Sequence, residues 1–200
     1  MSLSSLAAQC GPDVHPATTT AIIRVESGGH PYAIHDNTTG KTYKPGSKTE
    51  ARWLAYRLLM QGHSIDMGLM QVNSQHIWDM NIDYQNLFDA CYNIRTGTQI
   101  LAGFYRKYHR PGARPETTLL LALSGYNTGT PYSGRAYINC ILVAAGSSVR
   151  VAVINYRPSK AALKGRAGSQ NTTQTTPSRT PYWPSGRSII ALSQERERAP

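Results

Sequence analysis

One glutamate of this chain stands at a position that helix electrostatics disfavour. Glu26 follows the apolar run A-I-I-R-V and precedes Gly28-Gly29, so it falls in the last turn of a helix that begins near Pro16. The carbonyl groups of that turn carry partial negative charge and hold a carboxyl proton more tightly, and burial acts in the same direction. A carboxyl group that stays protonated near neutral pH can act as the general acid that glycoside cleavage needs. The alternative is a solvated helix-end glutamate.

The other glutamates before residue 157 stand at positions where helix electrostatics favour a negative charge, unlike Glu26. Before residue 157 the chain contains only three glutamates, and the other two are Glu50 and Glu116. They stand in S-K-T-E and R-P-E-T-T, which predict first turns of helices, where a negative charge is stabilised. Glu26 is therefore the best candidate for acid chemistry.

The histidines and cysteines give no metal-binding pattern. The six histidines lie at positions 15, 30, 35, 63, 76 and 109. Neither they nor the three cysteines show the spacing that holds zinc. The sequence therefore predicts no metal and no cofactor.

The cysteines leave two states open. Cys10 precedes the Glu26 helix and Cys91 opens a later helix, so a bridge between them would close a long loop and stabilise the fold by about 4 kcal/mol in the chain-entropy model. Three reduced thiols, with Cys140 as the third, are the alternative.

Hydrophobic periodicity and turn residues predict a mainly α (α+β) fold with a small β hairpin. A helical pattern occupies five segments, namely 16–27, 48–61, 93–108, 115–124 and 135–145. The hairpin spans Tyr32 to Tyr43 around N-T-T-G, and His63 to Asn73 is predicted to be a structured loop. Gly97 and Gly103 weaken the third helix and suggest close helix packing. The type of the alternating segment 149–156 stays undecided.

Composition divides the chain into a domain over 1–156 and a basic tail over 157–200. The first part holds 13 basic and 9 acidic side chains, and the tail holds 8 basic and 2 acidic ones. Ser, Thr, Pro and Gln dominate the tail, which predicts disorder. A basic flexible tail can bind a polyanion or simply be solvated.

Four motifs in order carry a family resemblance. They are E-S-G-G at 26–29, G-L-M-Q-V-N at 68–73, N-I-R-T-G-T-Q-I-L at 93–101 and Y-N-T-G at 126–129. Together they resemble the lytic transglycosylase domain with the goose-lysozyme-like fold, over roughly residues 10 to 145. The insertion between Ser27 and Asp66 resembles the branch associated with type IV secretion and conjugative transfer.

The resemblance implies roles for individual residues. It places the single catalytic glutamate of the family on Glu26, with Ser27 supporting its position and Asn73 as a second supporting residue. Substrate contacts fall on Ser64, Gln71, Tyr126 and Asn127, all along a glycan groove. The implied substrate is peptidoglycan, cleaved between its muramic acid and glucosamine sugars to give an anhydro-muramic product.

A hydrolytic lysozyme of the same fold is the main alternative. It needs a second carboxylate to activate water, and Asn73 stands where goose-type lysozymes carry an aspartate. An amide cannot act as a base, which disfavours hydrolysis. Asp66 and Asp36 remain as candidate bases.

A non-catalytic adaptor is the alternative from another class. It would bind glycan through the groove and secretion-channel components through the basic tail. No specific nucleic acid partner is predicted, because aromatic residues do not interleave with the basic residues of the domain. The implied substrate predicts a periplasmic location, although M-S-L-S-S-L-A-A-Q-C does not resemble a secretory signal and no segment is apolar enough to span a membrane.

Overall fold

The computed structural model describes residues 1–149 and 151, and the fold is mainly helical with one small sheet, as predicted. The helices are α1 (Leu3–Cys10), α2 (Pro16–Ser27), α3 (Lys48–Met60), α4 (Gln75–Asp79), α5 (Ala90–Tyr108), α6 (Pro115–Thr128) and α7 (Arg135–Ala144), with a 3-10 helix over Tyr84–Phe88. The strands are β1 (Ile34–Asp36), β2 (Lys41–Tyr43), β3 (Ile65–Met67) and β4 (Val72–Asn73).

The four strands form one antiparallel sheet in the order β2-β1-β3-β4. The predicted hairpin is confirmed as β1 and β2, but the predicted loop over 63–73 is wrong, because it contains β3 and β4. Ile65 and Met67 are fully buried and alternate with Asp66, so three residues suffice for a strand once β1 lies beside them. This pairing depends on contacts across about 30 residues, which local composition does not reveal.

Helix α2 begins and ends where its start and stop residues, Pro16 and Gly28, predict. Pro16 occupies its first turn, and Gly28 takes the left-handed conformation at its C-cap, with φ 64°. The N–H of Gly28 donates to the carbonyl oxygen of Arg24. Glu26 consequently lies in the last turn.

The other predicted helices are confirmed with small shifts of their ends. Helix α5 begins three residues earlier than predicted, because Asp89 caps it by accepting from the N–H of Tyr92. Helix α6 continues through Tyr126 and Asn127 to Thr128, and Gly129 caps its end with a φ of 72°. In α3 the buried residues are Ala51, Ala55 and Leu58, whereas Tyr56 is 50% exposed.

The two glycines of α5 differ. A Cβ at Gly97 would lie 2.7 Å from Sδ of Met70 and 2.8 Å from its Cβ, so this glycine lets α5 pack closely against the turn that contains Met70, whereas the prediction was close packing between helices. A Cβ at Gly103 would have only the Arg106 side chain as a neighbour, at 4.0 Å, so the packing role predicted for Gly103 is wrong.

Two hydrophobic clusters form the core. One is built mainly by helices α2, α5, α6 and α7, and the other lies between the sheet, α3 and the 3-10 helix. Phe104 and Tyr126 are partly buried and pack against both clusters. The boundary between the clusters is therefore lined by these two rings.

A disulfide joins the first helix to α5. The sulfur atoms of Cys10 and Cys91 are bonded at 2.06 Å across 81 positions of the chain, and Cys140 is free and exposed. Helix α1, which sequence patterns did not predict, packs against α2 and α5 and buries Ala7 and Cys10. The disulfide therefore fixes a helix that braces the Glu26 helix.

The predicted tail over 157–200 lies outside the described residues, as do six of the eight residues of the undecided segment 149–156. The side chain of Asn139 on α7 accepts from the N–H of Val151 and donates to its carbonyl oxygen. The folded part therefore reaches at least Val151. None of the helices within the described residues combines the length and the apolar character needed to cross a membrane.

Candidate active site

A groove lies beside Phe104 and Tyr126, the two rings that pack against both core clusters. It consists of two adjoining hollows of about 400 and 540 Å³. Both hollows are lined by the same five residues, namely Glu26, Asn37, Asp66, Gln71 and Asn127. The shared lining joins the two hollows into one groove, and Glu26 lies in the lining of both.

Glu26 is the candidate acid of the groove. Desolvation by burial raises the pKa of its carboxyl group to about 7, although a hydrogen bond from Tyr137 lowers it and the negative charge of Asp66 raises it further. The Tyr137 hydroxyl donates to Oε1 of Glu26 at 2.6 Å. A substantial protonated fraction near neutral pH suits a group that must first donate a proton and later accept one.

Ser27 fixes the end of the helix that carries Glu26. Its buried hydroxyl donates to the carbonyl oxygens of Ile23 at 3.1 Å and Leu69 at 2.8 Å. The same oxygen accepts from the N–H of Gly29. Ser27 thereby ties the end of α2 to the turn that precedes Gln71, and its supporting role for Glu26 stays a prediction.

Gln71 lies in a strained turn between β3 and β4. Its φ is 50°, and its amide nitrogen donates to the carbonyl oxygens of Ala33 at 3.1 Å and Gly68 at 2.8 Å. A non-glycine residue with positive φ persists only where neighbouring contacts hold it. These two hydrogen bonds hold Gln71 in the wall of both hollows.

Asn93 anchors this turn from below, a role the sequence did not reveal. Its buried amide nitrogen donates to the carbonyl oxygens of Met67 at 2.8 Å and Leu87 at 2.9 Å. Its amide oxygen accepts from the N–H of Met70 at 2.7 Å. The first residue of the N-I-R-T-G motif therefore fixes the backbone of the G-L-M-Q motif.

Tyr126 forms a wall of the groove. Its hydroxyl donates to the carbonyl oxygen of Met70 at 2.7 Å, and burial, with the charges of Glu26 and Asp66, raises its pKa well above the usual value. Asn127, one residue further, is exposed and lines both hollows. Tyr126 therefore presents its ring to the groove, while its hydroxyl holds the turn before Gln71.

Asp66 faces Glu26 within the groove. Its two carboxylate oxygens accept from the side-chain amides of Asn37 at 2.9 Å and Asn73 at 2.7 Å. Burial raises the pKa of Asp66, against the effect of the two amides and of His35 and His76. Two carboxyl groups, one in α2 and one in β3, thus share the site.

Asn73 and Ser64 lie on the same face of the sheet as Asp66. The amide nitrogen of Asn73 also donates to Oγ of Ser64 at 3.3 Å, and its oxygen accepts from the N–H of Gln75. Asn73 lines one hollow, whereas Ser64 is absent from the lining of both. Ser64 is therefore separated from the shared lining residues, and its substrate contact stays a prediction.

Asp36, the other carboxylate considered as a base, is wholly buried and structural. Burial raises its pKa, but hydrogen bonds from Thr39, His63 and the N–H of Thr38 outweigh burial and lower the pKa to about 2. It lines neither hollow. A carboxylate so fully satisfied is unsuited to activating water in the groove.

The structure thus assembles Glu26, Gln71, Tyr126 and Asn127 around one groove. Tyr137, the direct partner of Glu26, was missed, because R-A-Y-I-N-C-I-L resembles an ordinary core helix. Among residues 1–149 and 151 there is no group of three or more His, Cys, Asp or Glu side chains that could hold a metal ion.

Comparison with known proteins places the chain in a family. Residues 4–137 match the transglycosylase SLT domain, so the chain belongs to that family. It is 34% identical over 146 residues to protein virB1 of Rhizobium radiobacter, which covers 72% of this chain and 61% of that protein.

A second relative gives the same picture. The chain is 32% identical over 158 residues to the type IV secretion system protein virB1 of Brucella abortus, covering 74% of this chain and 66% of that protein. The chain thus spans less than two thirds of the length of each of these relatives. No solved structure matches the chain.

Proposed function

We propose that this protein is a peptidoglycan lytic transglycosylase that cleaves the bond between muramic acid and glucosamine. The observation that carries the proposal is Glu26, a carboxyl group with a pKa of about 7 that lines both adjoining hollows of the groove. Membership of the transglycosylase SLT domain family supports this reaction class.

One carboxyl group can perform both proton transfers. Protonated Glu26 donates its proton to the glycosidic oxygen as the bond to C1 of the muramic sugar breaks, and the acetamido group of that sugar meets the positive charge at C1. The C6 hydroxyl of the same sugar then attacks C1, and the Glu26 carboxylate accepts the hydroxyl proton. The product is a 1,6-anhydro sugar, and Glu26 is protonated again.

The hydrogen bond from Tyr137 suits this cycle. A phenol donor stabilises the carboxylate that Glu26 becomes after it has protonated the leaving group. The hydroxyl also fixes the direction of one carboxyl oxygen, so that the other can face the glycan. Tyr137 is therefore a positioning residue for Glu26.

The test of this proposal is mass spectrometry of peptidoglycan digested by the full chain and by Glu26→Gln. Anhydro-muramic products that vanish in the variant are expected. Reducing-end products would instead indicate a lysozyme, for which Asp66 is the candidate base because it lines the groove. Absence of products from both proteins would favour a glycan-binding adaptor.

We further propose that the protein opens the cell wall for a type IV secretion or conjugation apparatus, from the periplasm. The names of the virB1 relatives support this context. We propose residues 157–200, which are rich in Lys and Arg, as the segment that binds channel components. Deletion of this segment should leave wall cleavage intact while it abolishes support of secretion or conjugation.

A further inference from the structure

Two carboxyl groups line the same groove, although the reaction proposed above needs one. Glu26 at the end of α2 and Asp66 in the middle of β3 both line both hollows. Like charges in a partly buried site oppose simultaneous ionisation. The role of Asp66 therefore has to be read from its own contacts.

Those contacts suit the ionised form of Asp66. Each of its oxygens accepts a hydrogen bond from a side-chain amide nitrogen, of Asn37 on one side and Asn73 on the other. An amide NH₂ group only donates, so neither bond needs a proton on the carboxylate. Among the described residues no Lys or Arg forms an ion pair with Asp66, so its charge is held by dipoles and not neutralised by a local cation.

We propose that Asp66 is the electrostatic partner of Glu26. Its negative charge retains the proton on Glu26 before the reaction and stabilises the positive charge that develops on the muramic sugar as the glycosidic bond breaks. Asp66 forms no bond to the sugar and moves no proton. This inference rests on the function proposed above.

Other groups around the pair do not replace this charge. Tyr137 from α7 and Tyr126 from α6 face Glu26, and both stay neutral because their pKa values are raised. His35 from β1 and His76 from α4 influence Asp66 and favour its ionised form. Lys44 lines one of the hollows at the β2 side.

The first test measures Glu26 directly, without substrate. The full chain is labelled with ¹³C at the glutamate carboxyl groups, and its five glutamates are titrated by NMR. The Glu26 signal is the one that disappears in Glu26→Gln. In Asp66→Asn its midpoint should fall by several tenths of a pH unit, because a nearby negative charge has been removed; an unchanged or higher midpoint would overturn the proposal.

The matched control is Asp79→Asn. Asp79 is an exposed aspartate of α4, and its substitution changes the net charge by the same amount. This variant should leave the Glu26 midpoint and the rate of cleavage unchanged. An equal shift in both variants would show a general charge effect and would also overturn the proposal.

The second test uses the rate of anhydro-muramic product formation against pH. Asp66→Asn should lower kcat by about 100-fold, as loss of one electrostatic group in a catalytic site does, and move the alkaline limb to lower pH. Asp66→Glu should restore part of the rate and the position of the limb, since it keeps the charge. If thermal unfolding shows that Asp66→Asn is not folded, Asp66→Ser is used in its place.

Failure of the two proposals can be told apart. Anhydro products from the unmodified chain with unchanged kinetics in Asp66→Asn would overturn only the role of Asp66. Reducing-end products that vanish in Asp66→Asn would make Asp66 a base that activates water, which would overturn both proposals. If the chain gives no product at all, the NMR titration still decides whether Asp66 retains the proton on Glu26.

Discussion

The hydroxyl of Tyr137 donates a 2.6 Å hydrogen bond to the carboxyl group of Glu26 from a position 111 residues further along the chain. Helix α7, which carries Tyr137, packs against α2, which carries Glu26. This bond lowers the pKa of Glu26, whereas burial and Asp66 raise it. The protonation of Glu26 is therefore set by burial, by Tyr137 of α7 and by Asp66 of β3.

Tyr137→Phe should raise the pKa of Glu26, because it removes a donor that stabilises the carboxylate. Activity that needs protonated Glu26 is lost as pH rises through this pKa, so the alkaline limb of kcat/KM should move to higher pH. We expect kcat to fall about tenfold from the loss of orientation, equivalent to one hydrogen bond to a charged group. The pH profile of anhydro product release measures both effects, and a limb displaced to lower pH would contradict the assignment.

Gly97→Ala should destabilise the fold by about 1 to 3 kcal/mol, because the new methyl group meets the Cβ and sulfur of Met70. Gly103→Ala is the matched control in the same helix. It meets no close neighbour and should stabilise by up to about 1 kcal/mol through helix propensity. Urea unfolding measures the free energy of unfolding of both variants. Equal changes in the two variants would contradict the close packing of α5 against Met70.

Reduction of the Cys10–Cys91 disulfide, or Cys10→Ser, should lower the free energy of unfolding by about 4 kcal/mol. The bond closes a loop of 81 positions, which restricts the unfolded chain. Cys140→Ser should change little, because Cys140 is exposed and free. A thiol assay under denaturing, non-reducing conditions should find one thiol per chain, and a result of three would refute the pairing.

Asp36→Asn should leave the product unchanged but lower the free energy of unfolding by about 2 kcal/mol, since it weakens hydrogen bonds to a charged group. The folded-state pKa of Asp36, about 2, lies below its usual value of 3.8. Its stabilising contribution is therefore present above about pH 4 and is lost as pH falls towards 2. Unfolding curves between pH 2 and 5 should show this loss in the original chain and a smaller one in Asp36→Asn.

Local signals accounted for much of the fold and part of the site. Pro16 and Gly28 mark the ends of α2 within the segment itself, so the place of Glu26 in the last turn followed from the sequence. The strand at Ile65 could not be predicted in this way, because it forms only beside β1. The roles of Tyr137 and Asn93 could not be predicted for the same reason, because their hydrogen-bond partners lie 111 and about 25 residues away along the chain.

The polar side of the sheet has a regular spacing. Thr42, His35, Asp66 and Asn73 are successive cross-strand neighbours, one from each strand, and the outer two pairs are joined by hydrogen bonds. Neighbouring strands lie about 4.8 Å apart, so the row extends over about 14 Å. A chain molecule lying across the strands would meet a new polar group at each step. A long glycan would then contact the whole row of polar groups, whereas a disaccharide would contact only part of it. The affinity would therefore increase with the number of sugars in the glycan.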